Sequence, residues 1–183
     1  MLKLFFSIVV LLTLFSCRKT VSNQEDLTIP NGDFEQWDVN QNLKIWQTNS
    51  CPLCVPPWET YIVQNTTDAA HGQFAAEFVY NSFYAAFATN KFSISSHPLS
   101  LTAYIKSNII NGDTATLHVA LFSGDSVIDN GKWYETTTTI DYRKLEIPIT
   151  QTNPKTDSAE IIIIGGNKVG TIFFVDNLEF TYK

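Results

Sequence analysis

Beyond residue 27 the chain alternates between apolar and polar residues, and this alternation restricts it to an antiparallel β fold. The pattern is clearest in residues 99–106, 116–121 and 144–149. A period of two places successive side chains on opposite faces of an extended strand, so these segments predict half-buried strands. Residues 161–164 are four consecutive isoleucines. A short continuous apolar run predicts a strand that is buried on both faces.

Short turn sequences rich in glycine, asparagine and aspartate separate these runs. They are Asn31-Gly32, Asn111-Gly112-Asp113, Ser123-Gly124-Asp125, Asn130-Gly131 and Gly165-Gly166. No convincing amphipathic helix longer than two turns is predicted. Many short strands at even spacing in a chain of 183 residues predict one all-β domain over residues 28–183, an antiparallel β-sandwich of the jelly-roll kind.

Residues 1–16 have the layout of a secretory signal peptide, because Lys3 precedes an apolar run that ends at Phe15. The run is shorter than the ~20 apolar residues that a bilayer-spanning helix needs. Its end, Leu-Phe-Ser-Cys at 14–17, resembles a bacterial lipobox. The resemblance implies cleavage before Cys17 and a lipid on that cysteine. A plain signal peptide followed by a chance cysteine is the alternative.

Residues 17–27 are polar and aperiodic, and they predict a flexible tether between the lipid and the domain. A lipid anchor attaches a chain to a membrane without spanning it. The predicted location is the outer membrane of the Gram-negative cell envelope. The sequence does not distinguish a domain that faces the periplasm from one that faces the exterior. Removing residues 1–16 also removes Lys3, which leaves 11 basic against 18 acidic residues and a net charge near −7.

Two terminal motifs carry the most specific resemblance in the sequence. The first reads Asn-Gly-Asp-Phe-Glu-Gln-Trp at 31–37, and the second reads Val-Asp-Asn-Leu-Glu-Phe at 175–180. In this order they resemble the galactose-binding-like jelly rolls, the fold of many carbohydrate-binding modules. They also look like the small envelope lipoproteins with a carbohydrate-metabolism type of domain. The resemblance extends over residues 30–182 and implies that the first and last strands lie side by side.

The same resemblance implies a structural calcium ion where the opening loop meets the last strand. Carried over to this sequence, Glu35 and Asp176 supply carboxylates, and backbone carbonyls near Asp33 and His71-Gly72 complete the shell. Calcium takes about six to eight oxygen ligands, which fits such a set. The alternative is that the two carboxylates make hydrogen bonds that fasten the termini without a metal.

Aromatic side chains supply the candidate ligand-binding surface, because sugars stack their C–H groups on aromatic faces. The aromatic candidates are Trp46, Trp58, Tyr80, Tyr84, Tyr104 and Trp133, and Lys106 joins them because it lies on the same polar strand face as Tyr104. Trp58 follows a proline-rich loop, which places it at a rim. If the polar face of residues 99–106 lines the concave sheet, one surface is shared by Tyr104, Lys106, His118 and Trp133. The alternative for each aromatic residue is the core, and for Trp46 the core is the preferred interpretation.

Cys51 and Cys54 form a C-x-x-C within the proline-rich loop at residues 48–58. An oxidising envelope favours a short disulfide between them that closes this loop. Free thiols, redox chemistry and metal binding are the alternatives. Pro56 and Pro57 oppose the helix that follows a redox motif, and zinc would need two further ligands.

The charge and the motifs restrict the class of function. An acidic chain without a basic run does not favour nucleic-acid binding. Glu77, Glu135 and Glu160 are available for glycoside hydrolysis, but nothing in the sequence pairs them. Gly124-Asp125-Ser126 resembles the block that opens some serine-dependent esterases, but a β-turn between two strands accounts for it. The sequence therefore predicts a lipid-anchored, non-catalytic envelope module that binds a carbohydrate polymer. A structural or adhesive protein with a protein partner is the second interpretation, and a glycan-active enzyme is the third. The negative charge favours a neutral polymer or a protein over a polyanion.

Overall fold

The computed structural model describes residues 28–51, 53, 62–80, 83–150 and 155–183, and its regular elements are all strands. In chain order they are β1 Gln47–Thr48, β2 Val63–Thr66, β3 Ala75–Val79, β4 Phe87–Ser93, β5 Ser100–Asn108, β6 Ala115–Ser123, β7 Ser126–Glu135, β8 Thr139–Pro148, β9 Ser158–Ile164 and β10 Ile172–Thr181. Within these described ranges, no helix has the length and apolar character to cross a membrane.

The ten strands form two five-stranded antiparallel sheets. The first sheet has the order β1-β4-β9-β6-β7, and the second has the order β2-β3-β10-β5-β8. From β4 onward the chain crosses repeatedly between the sheets, which is the connectivity of a jelly roll. The prediction of an all-β, antiparallel, jelly-roll sandwich is confirmed.

The predicted alternation explains how the core forms. On β5, Leu101, Ala103 and Ile105 point between the sheets and are buried, whereas Tyr104 and Lys106 point outward. The other strands contribute buried side chains in the same way, and together they form one continuous apolar cluster. Burial of this cluster is the main stabilising contribution to such a sandwich.

The four isoleucines of β9 differ from the prediction. Ile161 and Ile163 are fully buried between the sheets, whereas Ile162 and Ile164 are half-buried on the outer face of the first sheet. β9 is central in its sheet, between β4 and β6. Within the described residues no third layer covers the outer face, so the prediction of two fully buried faces is wrong.

Residues 29–37 open the domain as a turn rather than as a strand. The Leu178 N–H donates to the Gly32 carbonyl at 2.8 Å, and the Asn31 side chain donates to two backbone carbonyls at 3.1 and 2.9 Å. A Cβ at Gly32 would lie 2.8 Å from the Leu178 oxygen, so this approach needs glycine. The opening turn thus lies beside β10. The first strand, however, pairs with β4 in the other sheet, so the expectation of adjacent first and last strands is wrong.

Candidate binding face on the second sheet

The outer face of the second sheet brings together side chains from four strands. Backbone pairing places Glu77 of β3 and Lys106 of β5 on either side of Phe174 of β10. Neighbouring strands lie about 4.8 Å apart, so these three side chains form one row. The Tyr142 ring of β8 lies 6.5 Å from the Phe174 ring and is turned edge-on to it at 70°. Glu77, Phe174, Lys106 and Tyr142 are called the Phe174 row below.

The Phe174 row combines aromatic surface with charges of both signs. Lys106 Nζ lies 5.1 Å from the Phe174 ring centroid and 5.7 Å from that of Tyr142, which is cation–π range. Lys106 also forms an ion pair with Asp68. Both aromatic rings are half-buried, so each leaves part of its surface open. No hydrogen bond or ion pair from the described residues reaches the Glu77 carboxylate, which leaves an acceptor beside the rings.

The loop that joins β2 to β3, residues 67–74, crosses the same face. The Asp68 carbonyl accepts a hydrogen bond of 2.6 Å from the Tyr142 hydroxyl. The His71 ring lies edge-on against Tyr104, with ring centroids 4.4 Å apart. The loop therefore reaches from the edge strand β2 across β10 and β5 to β8, and it forms a wall beside the Phe174 row.

The Tyr142 hydroxyl is a donor at every pH near neutrality. Burial, followed by the negative charges of Asp68, Asp176 and Glu77, raises the pKa of Tyr142 above its ordinary value of 10.0. The hydroxyl therefore keeps its proton and its hydrogen bond to the 67–74 loop.

Two carboxylates hold the 67–74 loop to the body of the domain. Asp176 on β10 is fully buried, and its Oδ2 accepts two consecutive backbone N–H groups of the loop, both at 2.8 Å. Glu35 Oε1, in the opening turn, accepts the backbone N–H groups of Gln73 and Phe74 at 2.7 and 3.0 Å. A side chain at Gly72 would overlap Glu35 Oε1, and Gly72 has a φ of +66°. Only glycine suits this position.

The other Asp176 oxygen, Oδ1, is buried and has no hydrogen-bond partner among the described residues. Burial raises the pKa of Asp176 above its ordinary value of 3.8, although the N–H groups of the loop act in the opposite direction. An unpartnered buried carboxylate oxygen is costly, and it is an atom that a cation could bind. The described residues contain no group of three or more His, Cys, Asp or Glu side chains that could hold a metal.

The sheet topology separates residues that the sequence predicted to share one surface. Tyr104 and Lys106 lie on the second sheet, but His118 faces outward from the first sheet, on the opposite side of the sandwich. Trp133 of β7 packs against the core at the edge of the sandwich, with the Arg143 guanidinium 5.3 Å from its ring. The prediction of one shared surface is wrong, because β5 and β6 belong to different sheets and because Trp133 pairs with the buried Leu117 and so faces the core.

Trp46 lies in the core and not at a ligand surface. Its exposed fraction is 6%, its ring is 5.4 Å from that of Phe34, and its Nε1 donates to the Asn31 carbonyl at 3.2 Å. The prediction that Trp46 binds a ligand is therefore wrong, and the preferred interpretation of Trp46 as a core residue is confirmed. Tyr84 is exposed, in the loop between β3 and β4.

Three residues named from the sequence, Cys17, Cys54 and Trp58, lie outside the described residues. Cys51 is disulfide-bonded. Its pairing with Cys54 stays a prediction, as do the lipid on Cys17 and the exposure of Trp58.

The three carboxylates considered for hydrolysis lie on three different surfaces. Glu77 belongs to the Phe174 row. Glu160 faces outward from the first sheet, where it accepts a hydrogen bond from the Thr89 hydroxyl at 3.0 Å. Glu135 is buried at the end of β7 and forms an ion pair with Arg143. Burial alone would raise the pKa of Glu135, but hydrogen bonds from Thr137 and the charge of Arg143 hold it below its ordinary value. No two of these groups face each other across a cleft.

Three site residues were missed from the sequence: Phe174, Tyr142 and Asp68. The first two had a signal, because the alternation along residues 172–176 and 142–146 places them on the outward face of their strands. Asp68 had none, because its contacts depend on the path of the loop across the sheet.

Several solved structures share this fold. The carbohydrate-binding module TmCBM61, in complex with β-1,4-galactotriose, aligns with a TM-score of 0.56 at 10% identity, over 85% of this chain and 97% of that chain. A structure on carbohydrate-binding modules of the β-sandwich superfamily aligns with a TM-score of 0.50 at 15% identity, over 82% of this chain and 63% of that chain. A protein from Bacteroides thetaiotaomicron that has been assigned as a glycoside hydrolase aligns with a TM-score of 0.56 at 10% identity.

That last alignment covers 67% of this chain and 57% of the Bacteroides protein, so this chain spans little more than half of its length. No protein-family model matches the sequence, and no curated protein matches it. At these identities the likeness concerns the fold, which is the jelly roll of carbohydrate-binding modules.

Proposed function

We propose that the chain is a lipid-anchored, non-catalytic module of the Gram-negative cell envelope that binds carbohydrate on the outer face of its second sheet. The observation that carries the proposal is the Phe174 row. A partly open aromatic surface between a carboxylate and an ammonium can stack on the C–H groups of a pyranose while the charged groups bond to its hydroxyls. The likeness of the fold to carbohydrate-binding modules supports the same class of ligand.

Each side chain of the row has a separate role in this proposal. Phe174 provides the stacking surface, and Tyr142 bounds it on one side. Glu77 accepts hydrogen bonds from sugar hydroxyls, and Lys106 donates to sugar oxygens. Because Lys106 is already paired with Asp68, its donors are held in place and its charge is largely compensated.

The 67–74 loop makes the site rigid before a ligand arrives. Four of its backbone N–H groups are held by Asp176 and Glu35, and Asp68 is held by two further strands. A site that is already ordered loses less conformational entropy on binding than a mobile loop does. This rigidity supports a binding role for the face.

The proposed ligand is a neutral glycan. The Lys106 charge is balanced by Asp68, which leaves Glu77 as the uncompensated charge of the row. The chain as a whole carries a net charge of −6, so a polyanionic glycan would be repelled. β-1,4-Galactan is the first probe, because TmCBM61 holds galactotriose in its structure.

Affinity electrophoresis of the full chain through gels that contain neutral polysaccharides tests the proposal. Phe174→Ala should weaken binding about tenfold, which corresponds to about 1.4 kcal/mol. Tyr134→Ala is the matched control, because it removes an exposed aromatic ring from the other sheet. Retardation by none of the polysaccharides, or equal loss in both variants, would contradict the proposal.

We also propose a structural calcium ion beside Asp176. The unpartnered Oδ1 supports it, and Glu35 binds the same loop from the other side. Backbone oxygens of the 67–74 loop and of the opening turn would supply the remaining ligands. When bound, calcium would neutralise the buried charge and tighten the loop.

A protein partner is the second candidate, and the outer face of the first sheet favours it. Ile162 and Ile164 are half-buried there and Tyr134 is exposed, and apolar surface on a sheet suits docking of another protein. Ile162→Asp should then reduce recovery of the chain in cross-linked envelope complexes. If Phe174→Ala reduces recovery and Ile162→Asp does not, the carbohydrate proposal is favoured.

A further inference from the structure

The chain contains three Asn-Gly dipeptides, at residues 31–32, 111–112 and 130–131. In such a dipeptide the glycine nitrogen can attack the side-chain carbonyl of the asparagine, because glycine has no side chain to obstruct the approach. The attack gives a five-membered succinimide ring, which water opens to aspartate or isoaspartate. The three dipeptides have different surroundings in the fold, so their reactivities should differ.

Asn111 and Gly112 form the exposed tip of the loop that joins β5 to β6, residues 109–114. The tip is a β-turn, because the Asp113 N–H donates to the Ile110 carbonyl at 2.9 Å and Gly112 has a φ of +73°. Among the described residues, no hydrogen bond reaches the Asn111 side chain or the Gly112 N–H. The attacking nitrogen and the carbonyl that it would attack are therefore both unoccupied by this part of the chain.

A lysine from the neighbouring loop contacts the peptide group between these two residues. Lys168 lies in the loop that joins β9 to β10, residues 165–171, and its Nζ donates to the Asn111 carbonyl at 2.6 Å. A Cβ on the glycine of the same dipeptide would lie 3.2 Å from this Nζ. The Lys168 backbone N–H donates to the buried carboxylate of Asp113 at 2.9 Å. This bond joins the 165–171 loop to the 109–114 loop and holds the lysine in place.

The position of the ammonium group favours the first step of succinimide formation. When the Gly112 nitrogen gives its proton to hydroxide, the negative charge is delocalised onto the Asn111 carbonyl oxygen of the same peptide group. A charge-assisted hydrogen bond from Lys168 to that oxygen stabilises the anion more than the neutral peptide. The nitrogen then forms a bond to Asn111 Cγ, and Nδ2 leaves as ammonia after it has taken a proton from water.

The other two dipeptides are held in unreactive arrangements. Asn31 is 6% exposed, its amide donates to two backbone carbonyls, and its Oδ1 accepts a backbone N–H at 3.0 Å. The attacking group, the Gly32 N–H, donates to the Ile29 carbonyl at 2.9 Å. Asn130 and Gly131 lie within β7, where pairing with β6 keeps the backbone extended. Ring closure requires rotation about the Cα–C bond of the asparagine, which would disrupt this pairing.

We propose that Asn111 is a site of spontaneous deamidation in the folded protein, promoted by the ammonium group of Lys168. Water is the co-reactant and ammonia is released. Because Lys168 polarises the main-chain carbonyl, water should open the ring there, and isoaspartate should be the main product. Isoaspartate lengthens the backbone by one methylene group, so the 109–114 loop would lose the geometry with which Asp113 holds the 165–171 loop. This modification lies outside the glycan-binding face and does not depend on the proposed function.

The test is mass spectrometry of the full chain, kept folded at mildly alkaline pH and sampled over several days. Trypsin cleaves after Lys106 and Lys132, so Asn111 and Asn130 lie in one peptide, and its fragmentation compares them directly. The mass gain of deamidation should appear at Asn111 about tenfold faster than at Asn130 or Asn31. In the chain unfolded in urea, the three dipeptides should convert at similar rates, because the fold no longer distinguishes them.

Lys168→Met should slow the conversion of Asn111 in the folded chain about tenfold, whereas Lys168→Arg keeps the positive charge and should retain most of the rate. Lys132→Met is the matched control, because it removes another exposed lysine, and it should leave the conversion of Asn111 unchanged. An unchanged rate in Lys168→Met would overturn the proposal. Conversion of Asn130 or Asn31 as fast as that of Asn111 in the folded chain would overturn it as well.

Discussion

Replacing Asp113 with alanine should cost the domain about 3–5 kcal/mol of unfolding free energy. The carboxylate is buried and accepts three hydrogen bonds of 2.6 to 2.9 Å from the 165–171 loop. A hydrogen bond to a charged group contributes roughly 1.5–3 kcal/mol, and a donor left buried costs about as much. Some of these donors can reach water when the loop relaxes, so the total should lie below the sum of three separate losses.

Urea unfolding followed by tryptophan fluorescence measures this loss, and calorimetry should show a fall in Tm of about 10 °C for a chain of this size. Asp125→Ala is the matched control. Asp125 is exposed in the turn between β6 and β7, and its removal should change stability by at most about 0.5 kcal/mol. A loss of unfolding free energy below about 1 kcal/mol in Asp113→Ala would refute the view that this carboxylate joins the 109–114 loop to the 165–171 loop.

Asp113 should also contribute to the way in which the unfolding free energy of the domain falls at acidic pH. Burial alone would raise the pKa of Asp113, but hydrogen bonds from Thr171 and Asn167 hold it below its ordinary value of 3.8. A carboxyl with a lowered pKa stabilises the fold above its unfolded pKa, and this contribution disappears as the pH falls through the folded pKa. Asp113→Ala should therefore lose less stability than the wild type below about pH 4. Parallel pH curves for the two proteins would contradict this assignment.

Four other outcomes are expected. Gly72→Ala should destabilise the fold by about 1–3 kcal/mol, because the position has a positive φ and its Cβ would overlap Glu35, and carbohydrate binding should weaken with it. Tyr142→Phe should cost about 1 kcal/mol of unfolding free energy through its lost hydrogen bond to the Asp68 carbonyl, as measured by urea unfolding. A chelator should lower the Tm by about 5 °C or more if calcium is bound, and no shift would exclude the ion. Cys17→Ala should abolish incorporation of a clickable fatty acid, whereas label retained in that variant would contradict the anchor.

The period of two in the sequence predicted the strands well where one face of the sheet is buried. Residues 99–106 fall within or beside β5, and residues 116–121 fall within β6. The alternation is a direct consequence of a buried and a solvated face, so it is visible without coordinates. The four isoleucines of β9 show its limit. A run of apolar residues indicates burial, but it does not reveal whether a third layer covers the sheet.

The site was harder to predict than the strands. Tyr104 and Lys106 were named correctly as outward-facing neighbours, because both lie on one strand. His118 and Trp133 were placed with them incorrectly, because period alone does not assign a strand to a sheet in a fold whose connections cross between sheets. The contact of Asp68 with β5 and β8 depends on a loop path, and no local pattern encodes such a path.

The bond between the Ala70 N–H and Asp176 joins residues 106 positions apart, and this separation has a consequence for the order of assembly. Of the ten described strands β10 comes last in chain order, yet it lies between β3 and β5 in the second sheet. Until it arrives, that sheet is divided into two unconnected pairs, β2 with β3 and β5 with β8. Long-range pairing of this kind is slow. The Phe174 row and the wall beside it therefore form together when β10 pairs with β3 and β5, and a chain that stops before Ile172 would have neither.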